Sequence, residues 1–209
     1  MVGALIFNAF PVSAQVAALV CKGGSVPASA RAVADELNLA RTNPKAYARV
    51  IEAEFATLRG KRYKRNGATM VMKEGRSAVK EAVRALNRQT PLPALPLSAC
   101  LSAAAAGHVA YQGPRGEFGH SGAGGSGPGA RVEQQVRGTA YCGENISYGV
   151  GDARSVVVQL IVDDGVKGRG HRKNIFYPRF RSLGTATGPH AKFRTMAVQV
   201  FCFNPVTGG

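Results

Sequence analysis

The segment that most restricts the fold is the run RTMAVQVFCF at residues 194–203. Both of its alternating faces are largely apolar, which is typical of a central strand that is covered on both sides. The run RSLGTATG at residues 181–188 follows Pro178 and predicts a partner strand. A small sheet with cover on both faces is therefore expected near the end of the chain.

Helical patterns fill the first half of the chain. Residues 29–43 have apolar positions at nearly helical spacing, and Asn43 followed by Pro44 predicts the start of a second helix. Residues 75–89 repeat the helical pattern, and a further helix is expected from Ser98. Helices first and strands late, without regular alternation, favour helices packed around a small sheet over a doubly wound parallel fold.

The charge of the chain is strongly unbalanced, with 27 Lys and Arg residues against 12 Asp and Glu residues and a net charge of +15. Long-range attraction of this kind favours anionic lipid, acidic polysaccharide or nucleic acid. The densest basic run, RGKRYKR at residues 59–65, surrounds one aromatic residue, Tyr63, and is interpreted as a solvated loop between helices. No nucleic-acid-binding motif accompanies it, so sequence-specific nucleic-acid recognition is not expected.

Four widely spaced cysteines form no CxxC pair, which argues against a zinc ribbon or a thioredoxin-type redox site. They are Cys21, Cys100, Cys142 and Cys202. If the protein is secreted, four cysteines allow three disulfide pairings, and the sequence does not choose among them. Buried free thiols are the alternative.

The N-terminal thirty residues are first apolar and then small and polar, as in a secretory signal peptide with VSA or ASA as cleavage sites. Because Pro11 interrupts the apolar stretch and no Lys or Arg precedes it, a plain extension is the alternative. We therefore divide the chain into residues 1–30, as extension or signal peptide, and one domain at 31–209. No uninterrupted apolar run is long enough to predict a transmembrane helix.

Residues suited to metal binding or acid–base chemistry lie within sixty residues of one another. They are His120, Glu144, Asp163, Asp164 and His171. Two imidazoles and two or three carboxylates suit a borderline divalent cation such as zinc, or proton transfer. The sequence has no GxSxG, HExxH or P-loop motif, which argues against the common hydrolase and nucleotide-binding classes.

Two further histidines are interpreted without a functional role. His108 lies on the apolar face of the helix that starts at Ser98, where a lone histidine is usually a core residue. His190 lies between the last two predicted strands and is expected to be an exposed turn residue.

The motifs GENISYG and GHRKNIFYPRFRSLGTATG, at residues 143–149 and 170–188, resemble the signature of the CAP superfamily. This is the SCP, or cysteine-rich secretory protein, antigen 5 and pathogenesis-related domain, here in its single-domain microbial form. The resemblance extends from Ala34 to Phe203 and implies an α/β/α three-layer sandwich, an α+β fold with a small central antiparallel sheet. It also implies a helix at residues 152–164, where the valines suit a strand equally well.

The resemblance also implies a cleft surrounded by two histidines and two acids. Matching motifs assign His120 from GHSG, Glu144 from GENI and His171 from GHRKNI, and Asp164 best fits the fourth position, where many members have a longer glutamate. A divalent cation in this cleft, most simply zinc, would be held by His120 and His171. Alternatively, His171 has a purely structural role and hydrogen-bonds Glu144. Arg172 is expected to face solvent.

The resemblance implies an extracellular, monomeric binding module with a His/acid cleft and a basic surface for lipid, sterol or anionic glycan. The alternative is a metal-dependent, peptidase-like hydrolase with Glu144 or Asp164 as general base and zinc-bound water as nucleophile. No Ser or Cys nucleophile lies beside a base in a recognised motif, and proteolysis is not general in the family. Binding is therefore preferred over catalysis. A third hypothesis uses only the basic surface to bind anions.

Overall fold

A computed structural model describes residues 16–65 and 67–207. The helices in these ranges are α1 (Ala28–Thr42), α2 (Pro44–Glu54), α3 (Arg76–Arg88), α4 (Ala99–Arg115), α5 (Pro128–Glu133), α6 (Ala153–Val162) and α7 (Gly170–Ile175). The strands are β1 (Leu19–Cys21), β2 (Arg62–Arg65), β3 (Ala68–Val71), β4 (Val136–Arg137), β5 (Cys142–Tyr148), β6 (Ser182–His190), β7 (Arg194–Cys202) and β8 (Val206–Thr207). Within these ranges, no helix is both long and apolar enough to cross a membrane.

The central sheet is antiparallel and has the order β5-β7-β6. The sequence prediction for β7 is confirmed, because this strand lies in the middle and is buried on both faces. Met196, Val198 and Val200 belong to one hydrophobic cluster, whereas Ala197 and Phe201 belong to the other. The period-two pattern of one strand thus separates the two cores of the domain.

Helices cover both faces of this sheet. On one face, α4 packs against β6 and β7, and on the other α1 packs against β6 and α6. The approach of α4 is close, since a Cβ atom at Gly184 would lie 2.2 Å from the carbonyl carbon of Leu101. The predicted α/β/α sandwich is therefore confirmed. So is the helix that the resemblance implied after residue 152, where Asp152 accepts a hydrogen bond from the Ser155 amide at 2.9 Å.

Residues that precede the predicted boundary at residue 31 pack against the described domain. Strand β1 pairs with β4 and with β8, and Leu19 is fully buried. The ASA motif at residues 28–30 forms the start of α1. The VSA motif at residues 12–14 lies outside the described residues.

All four cysteines form disulfides, so the buried-thiol alternative is wrong. The Cys21–Cys100 bridge joins β1 to α4, and the Cys142–Cys202 bridge joins directly opposed residues of β5 and β7. Of the three pairings left open by the sequence, the structure has this one.

The prediction of a loop for the basic run at residues 59–65 is wrong, because the run leads into a hairpin of β2 and β3. Tyr63 points inward and packs on Phe55, with ring centroids 4.7 Å apart. Arg65 also points inward and binds the carboxylates of Glu54 and Asp152. The sequence did not indicate strand β2, because Arg65, one of the two residues of this strand that point inward, is charged.

Candidate functional site

The first histidine–carboxylate pair joins a loop to the central sheet. Glu144 lies on β5 with its side chain only 1% exposed, and its Oε1 lies 2.9 Å from Nδ1 of His120. Its Oε2 accepts a hydrogen bond from Arg131 at 2.5 Å. A carboxylate paired with a guanidinium is ionised, so Nδ1 of His120 is the donor in this contact. The His120 side chain is 55% exposed, and its Nε2 has no hydrogen-bond partner among the described residues.

Arg131, on α5, is a residue that the sequence analysis missed. Besides Glu144, its guanidinium donates to the carbonyl oxygens of His120 at 3.0 Å and Ser126 at 2.6 Å. One buried cation therefore holds both the acid and the glycine-rich loop that carries the histidine. The only sequence signal for this arrangement is Pro128, which suits the first position of a short helix after the glycines.

The second pair joins two helices, α6 and α7. His171 lies in the first turn of α7, and its Nδ1 is 2.6 Å from Oδ1 of Asp163. The backbone amide of His171 donates to Oδ2 of Asp163 at 3.0 Å. Asp163 ends α6 with φ 54° and ψ 43°, the left-handed region that Asp and Asn tolerate best among residues with a Cβ. Its side chain is 2% exposed and that of His171 is 26% exposed.

Asp164, the predicted fourth cleft residue, does not reach either histidine. Its carboxylate accepts hydrogen bonds from the backbone amides of Lys73 at 2.5 Å and Glu74 at 2.8 Å. Because α6 ends at Val162 and the chain turns at Asp163, the two neighbouring carboxylates point to different partners. Asp163 therefore occupies the position beside His171 that the sequence analysis assigned to Asp164.

A group of charged residues fixes the loop between α6 and α7. The Glu74 carboxylate accepts hydrogen bonds from the Gly165 amide and from Arg169, and the Arg169 guanidinium also donates to the Asp163 carbonyl at 2.8 Å. The hydrogen bond from Arg169 lowers the pKa of Glu74 to about 2. The loop that presents Asp163 to His171 is thus tied to the start of α3.

The prediction that Arg172 faces solvent is wrong. Its side chain is buried and donates to both carboxylate oxygens of Glu81, on α3, at 2.5 and 2.7 Å. It also donates to the Ile161 carbonyl at 3.2 Å. Arg172 therefore anchors α7 to α3 and α6.

Two asparagines connect the pairs through β5. The Asn145 side chain donates to the His171 carbonyl at 3.0 Å, and Asn174 donates to Oδ1 of Asn145 at 2.9 Å. Because Glu144 and Asn145 are consecutive on β5, both pairs are anchored at the same point of an edge strand. We call these two pairs, His120–Glu144 and His171–Asp163, the two-histidine site. The alternative in which His171 bonds Glu144 does not occur, since each histidine has its own acid.

The loop before His120 is fixed by hydrogen bonds between Gly119 and side chains of α4 and β5. The Gly119 carbonyl lies 2.7 Å from Nε2 of Gln112 and 3.1 Å from Nε2 of His108, and the Gly119 amide donates to the Tyr148 hydroxyl at 3.0 Å. Burial lowers the pKa of His108. The interpretation of His108 as a buried core residue agrees with the structure, and its hydrogen bond fixes the loop.

His190 is buried rather than exposed, so that prediction is wrong. Its Nε2 lies 2.6 Å from the Glu117 carbonyl, and its Nδ1 accepts hydrogen bonds from the amides of Lys192 and Phe193. The turn between β6 and β7 folds around this ring and brings it under the same loop.

The described residues contain no group of three or more His, Cys, Asp or Glu side chains that could hold a metal ion. Both carboxylates of the two-histidine site are already bonded, Glu144 to Arg131 and His120, and Asp163 to His171. The four side chains therefore do not form a closed four-ligand centre. Among the described residues, the Nε2 atoms of the two imidazoles form no hydrogen bond.

A comparison with known protein families identifies the family of this chain. The model of the cysteine-rich secretory protein family, CAP, matches residues 35–203. The chain belongs to this family. Within this CAP domain, the matched segment contains every residue of the two-histidine site.

Three solved structures are similar to this CAP domain, but at identities too low for an argument about activity. An outer surface protein of Borrelia burgdorferi has 15% identity and a TM-score of 0.46, over 60% of this chain and 86% of that chain. An extracellular protein with an SCP domain from Bacillus anthracis has 21% identity and a TM-score of 0.45, over 63% and 42%. A cysteine-rich secretory protein of Staphylococcus aureus has 12% identity and a TM-score of 0.34, over 61% and 37%. No curated protein matches the chain.

Proposed function

We propose that this CAP domain is an extracellular, monomeric binding module whose ligand site is the two-histidine site. The observation that carries the proposal is that both imidazoles have Nδ1 bonded to a buried carboxylate, while neither Nε2 has a hydrogen-bond partner among the described residues. Two disulfides support the extracellular location, because such bonds persist mainly in oxidising compartments. Lipid, sterol or anionic glycan is the ligand class in this proposal, and the net charge of +15 supports its anionic members.

The proposal includes a divalent cation, with zinc as the expected ion. The Nε2 atoms of His120 and His171 would be the protein donors, and Glu144 and Asp163 would orient the imidazoles instead of binding the ion. Metal-binding histidines commonly donate their other ring N–H to a carboxylate in this way, which fixes the tautomer and raises the basicity of the ligand. Bound zinc would supply a Lewis acid to which an anionic ligand group can attach.

The test is a calorimetric titration of zinc into metal-free protein. Wild type is expected to bind at micromolar concentration or tighter, and the His120→Ala, His171→Ala double variant is expected to lose binding. Asp163→Asn should weaken binding by roughly 10- to 100-fold, because it removes the charge that orients His171. Asp164→Asn is the matched control and should leave binding unchanged. Equal affinity in wild type and the double variant would refute the cation proposal and leave the histidines with a structural role.

A metal-dependent hydrolase is the second candidate, and one observation favours it. The His171–Asp163 contact of 2.6 Å is the arrangement that orients an imidazole for proton transfer. The general bases expected from the sequence are less suitable, because Glu144 is paired with Arg131 and Asp164 binds two backbone amides. A peptide-cleavage screen of zinc-loaded protein with and without chelator tests this candidate. No turnover in either sample would end it.

A further inference from the structure

The β2–β3 hairpin separates its cations by direction. Tyr63 and Arg65 point to the core, where the Arg65 guanidinium lies 3.2 Å from Glu54 and 3.1 Å from Asp152. Arg62 and Lys64, on the alternate positions of β2, point outward and are exposed. The inward cation is therefore neutralised by two acids, and the outward cations are presented to solvent.

Four exposed cations make up the basic hairpin face, which consists of Arg59, Lys61, Arg62 and Lys64. None of the four forms a salt bridge with any described residue. The nearby acids are already engaged, since Glu74 binds Arg169 and Asp164 binds backbone amides. Lys61 interacts electrostatically with the Glu74 carboxylate, so the positive charge of this face is only partly compensated within the described part of the domain.

The basic hairpin face is held in place before any ligand arrives. Backbone hydrogen bonds in both directions join Arg59 and Arg62, and the Met72 amide donates to the Lys61 carbonyl at 2.8 Å. The Lys64 ammonium group donates to Thr69 on the neighbouring strand, also at 2.8 Å. A preordered surface loses less conformational entropy on binding than a flexible basic segment does.

The shape of this face suits an extended anionic chain. Residues two apart on a strand lie about 6.6–6.8 Å apart, so Arg62 and Lys64 form a short row of charge on a two-stranded ribbon. Of the exposed large apolar side chains in residues 16–65 and 67–207, only Val71, at 69% exposure, lies beside the row, and Tyr63 is turned away. Stable contact with a bilayer usually needs more apolar side chains, and Trp or Phe among them. Polyanion binding is therefore favoured over a membrane surface.

We propose that the basic hairpin face binds an extended acidic polysaccharide. Carboxylate or sulfate groups along the glycan would pair with Arg62, Lys64 and the two preceding cations. The choice of glycan over nucleic acid rests on the extracellular location in the proposed function. This face would be a second binding site, separate from the ligand site of the proposed function, so loss of glycan binding and loss of zinc binding can be measured separately.

The experiment measures binding of the full chain to a heparin decasaccharide and to polygalacturonate at several salt concentrations. The variant Arg62→Gln, Lys64→Gln removes two cations from the face, and Arg84→Gln, Arg88→Gln removes two exposed cations from α3. The hairpin variant should lose about tenfold or more in affinity and show a weaker salt dependence. The α3 variant should change affinity by less than about twofold.

Each other outcome overturns the proposal. Equal losses in the two variants would mean that net charge alone drives binding, and undiminished binding in the hairpin variant would exclude this face. Tighter binding to vesicles of anionic phospholipid, or to single-stranded DNA, than to both glycans would assign the face to another partner. Thermal unfolding of both variants checks that the hairpin remains folded.

Discussion

In the His120–Glu144 pair the acid lies on a strand and the histidine on a glycine-rich loop, whereas in the His171–Asp163 pair the acid ends one helix and the histidine begins another. The carboxylates also differ in their partners. Glu144 has a guanidinium on one oxygen and an imidazole on the other, but both oxygens of Asp163 accept from His171 alone. The same histidine–carboxylate contact is thus part of a buried ion pair in one region and of a local turn in the other.

This difference indicates how each pair depends on its surroundings. Arg131 binds Glu144, the His120 carbonyl and the Ser126 carbonyl, so the first pair is coupled to the folding of the whole glycine-rich loop. The second pair depends on the short segment between α6 and α7 and on its ties to α3. A change in the first pair should therefore affect global stability, and a change in the second should affect mainly His171.

The largest effect is expected for Glu144→Ala, which leaves Arg131 buried without its carboxylate. Breaking a buried ion pair from one side costs about 3–5 kcal/mol of unfolding free energy. Urea denaturation followed by circular dichroism measures this loss. The double variant Glu144→Met, Arg131→Met leaves no unpaired charge, but it also removes the hydrogen bonds to the His120 and Ser126 carbonyls, so it is not the decisive control. A loss of less than about 1 kcal/mol in Glu144→Ala would contradict the account of this pair.

A smaller effect is expected for Asp163→Asn, which keeps the left-handed turn but removes the charge. Loss of a charged hydrogen-bond acceptor costs about 1.5–3 kcal/mol. Nitrogen-15 NMR of the imidazole should also show a changed tautomer balance at His171 and none at His120. Asp164→Asn is the comparison variant, since its carboxylate contacts only the amides of Lys73 and Glu74. A response of His171 to Asp164→Asn as large as that to Asp163→Asn would reverse the assignment.

The smallest expected effect is a pH dependence of the unfolding free energy, which arises from His108 beneath the loop that carries His120. Burial lowers the pKa of His108 from its ordinary value of 6.5, with Glu144 acting in the opposite direction and Arg131 and His120 adding to the decrease. As the pH falls, the unfolded chain takes up the proton first. The contribution of neutral His108 to the unfolding free energy is therefore fully present above about pH 6.5. It is lost as the pH falls from there toward the lower pKa of His108 in the folded protein.

His108→Gln tests this window, because glutamine does not titrate there and can still donate to the Gly119 carbonyl. Unfolding free energies of wild type and variant should converge, or reverse in order, as the pH is lowered from 7.5 to 5. Parallel pH profiles would show that His108 does not titrate differently in the folded and unfolded states.

Much of the fold could be predicted because its signals are local. The apolar faces of β7, the capping residue Ser98 and the Asn43–Pro44 boundary each reflect one element and its immediate burial. The hairpin was missed because the inward side of β2 carries Arg65, whose charge is neutralised by Glu54 on the preceding helix and by Asp152, 87 residues away. A local pattern cannot show such a partner.

The site could be predicted only in part, for a related reason. Motifs located His120, Glu144 and His171, but the choice between Asp163 and Asp164 depends on one backbone conformation at the end of α6. Glu81 was missed because its partner Arg172 lies 91 residues away, and Arg131 because the folded glycine-rich loop brings its partners together. His190 was misjudged because its turn position concealed contacts with the loop before His120.

The N-terminal strand imposes an order on folding. Strand β1 can complete its parallel pairing only when residues 206 and 207 are available, at the other end of the described chain. Contacts between such distant segments close large loops and tend to form slowly. The Cys21–Cys100 bridge requires only the first half of the chain, so oxidation can fix β1 beside α4 before its partner strand exists.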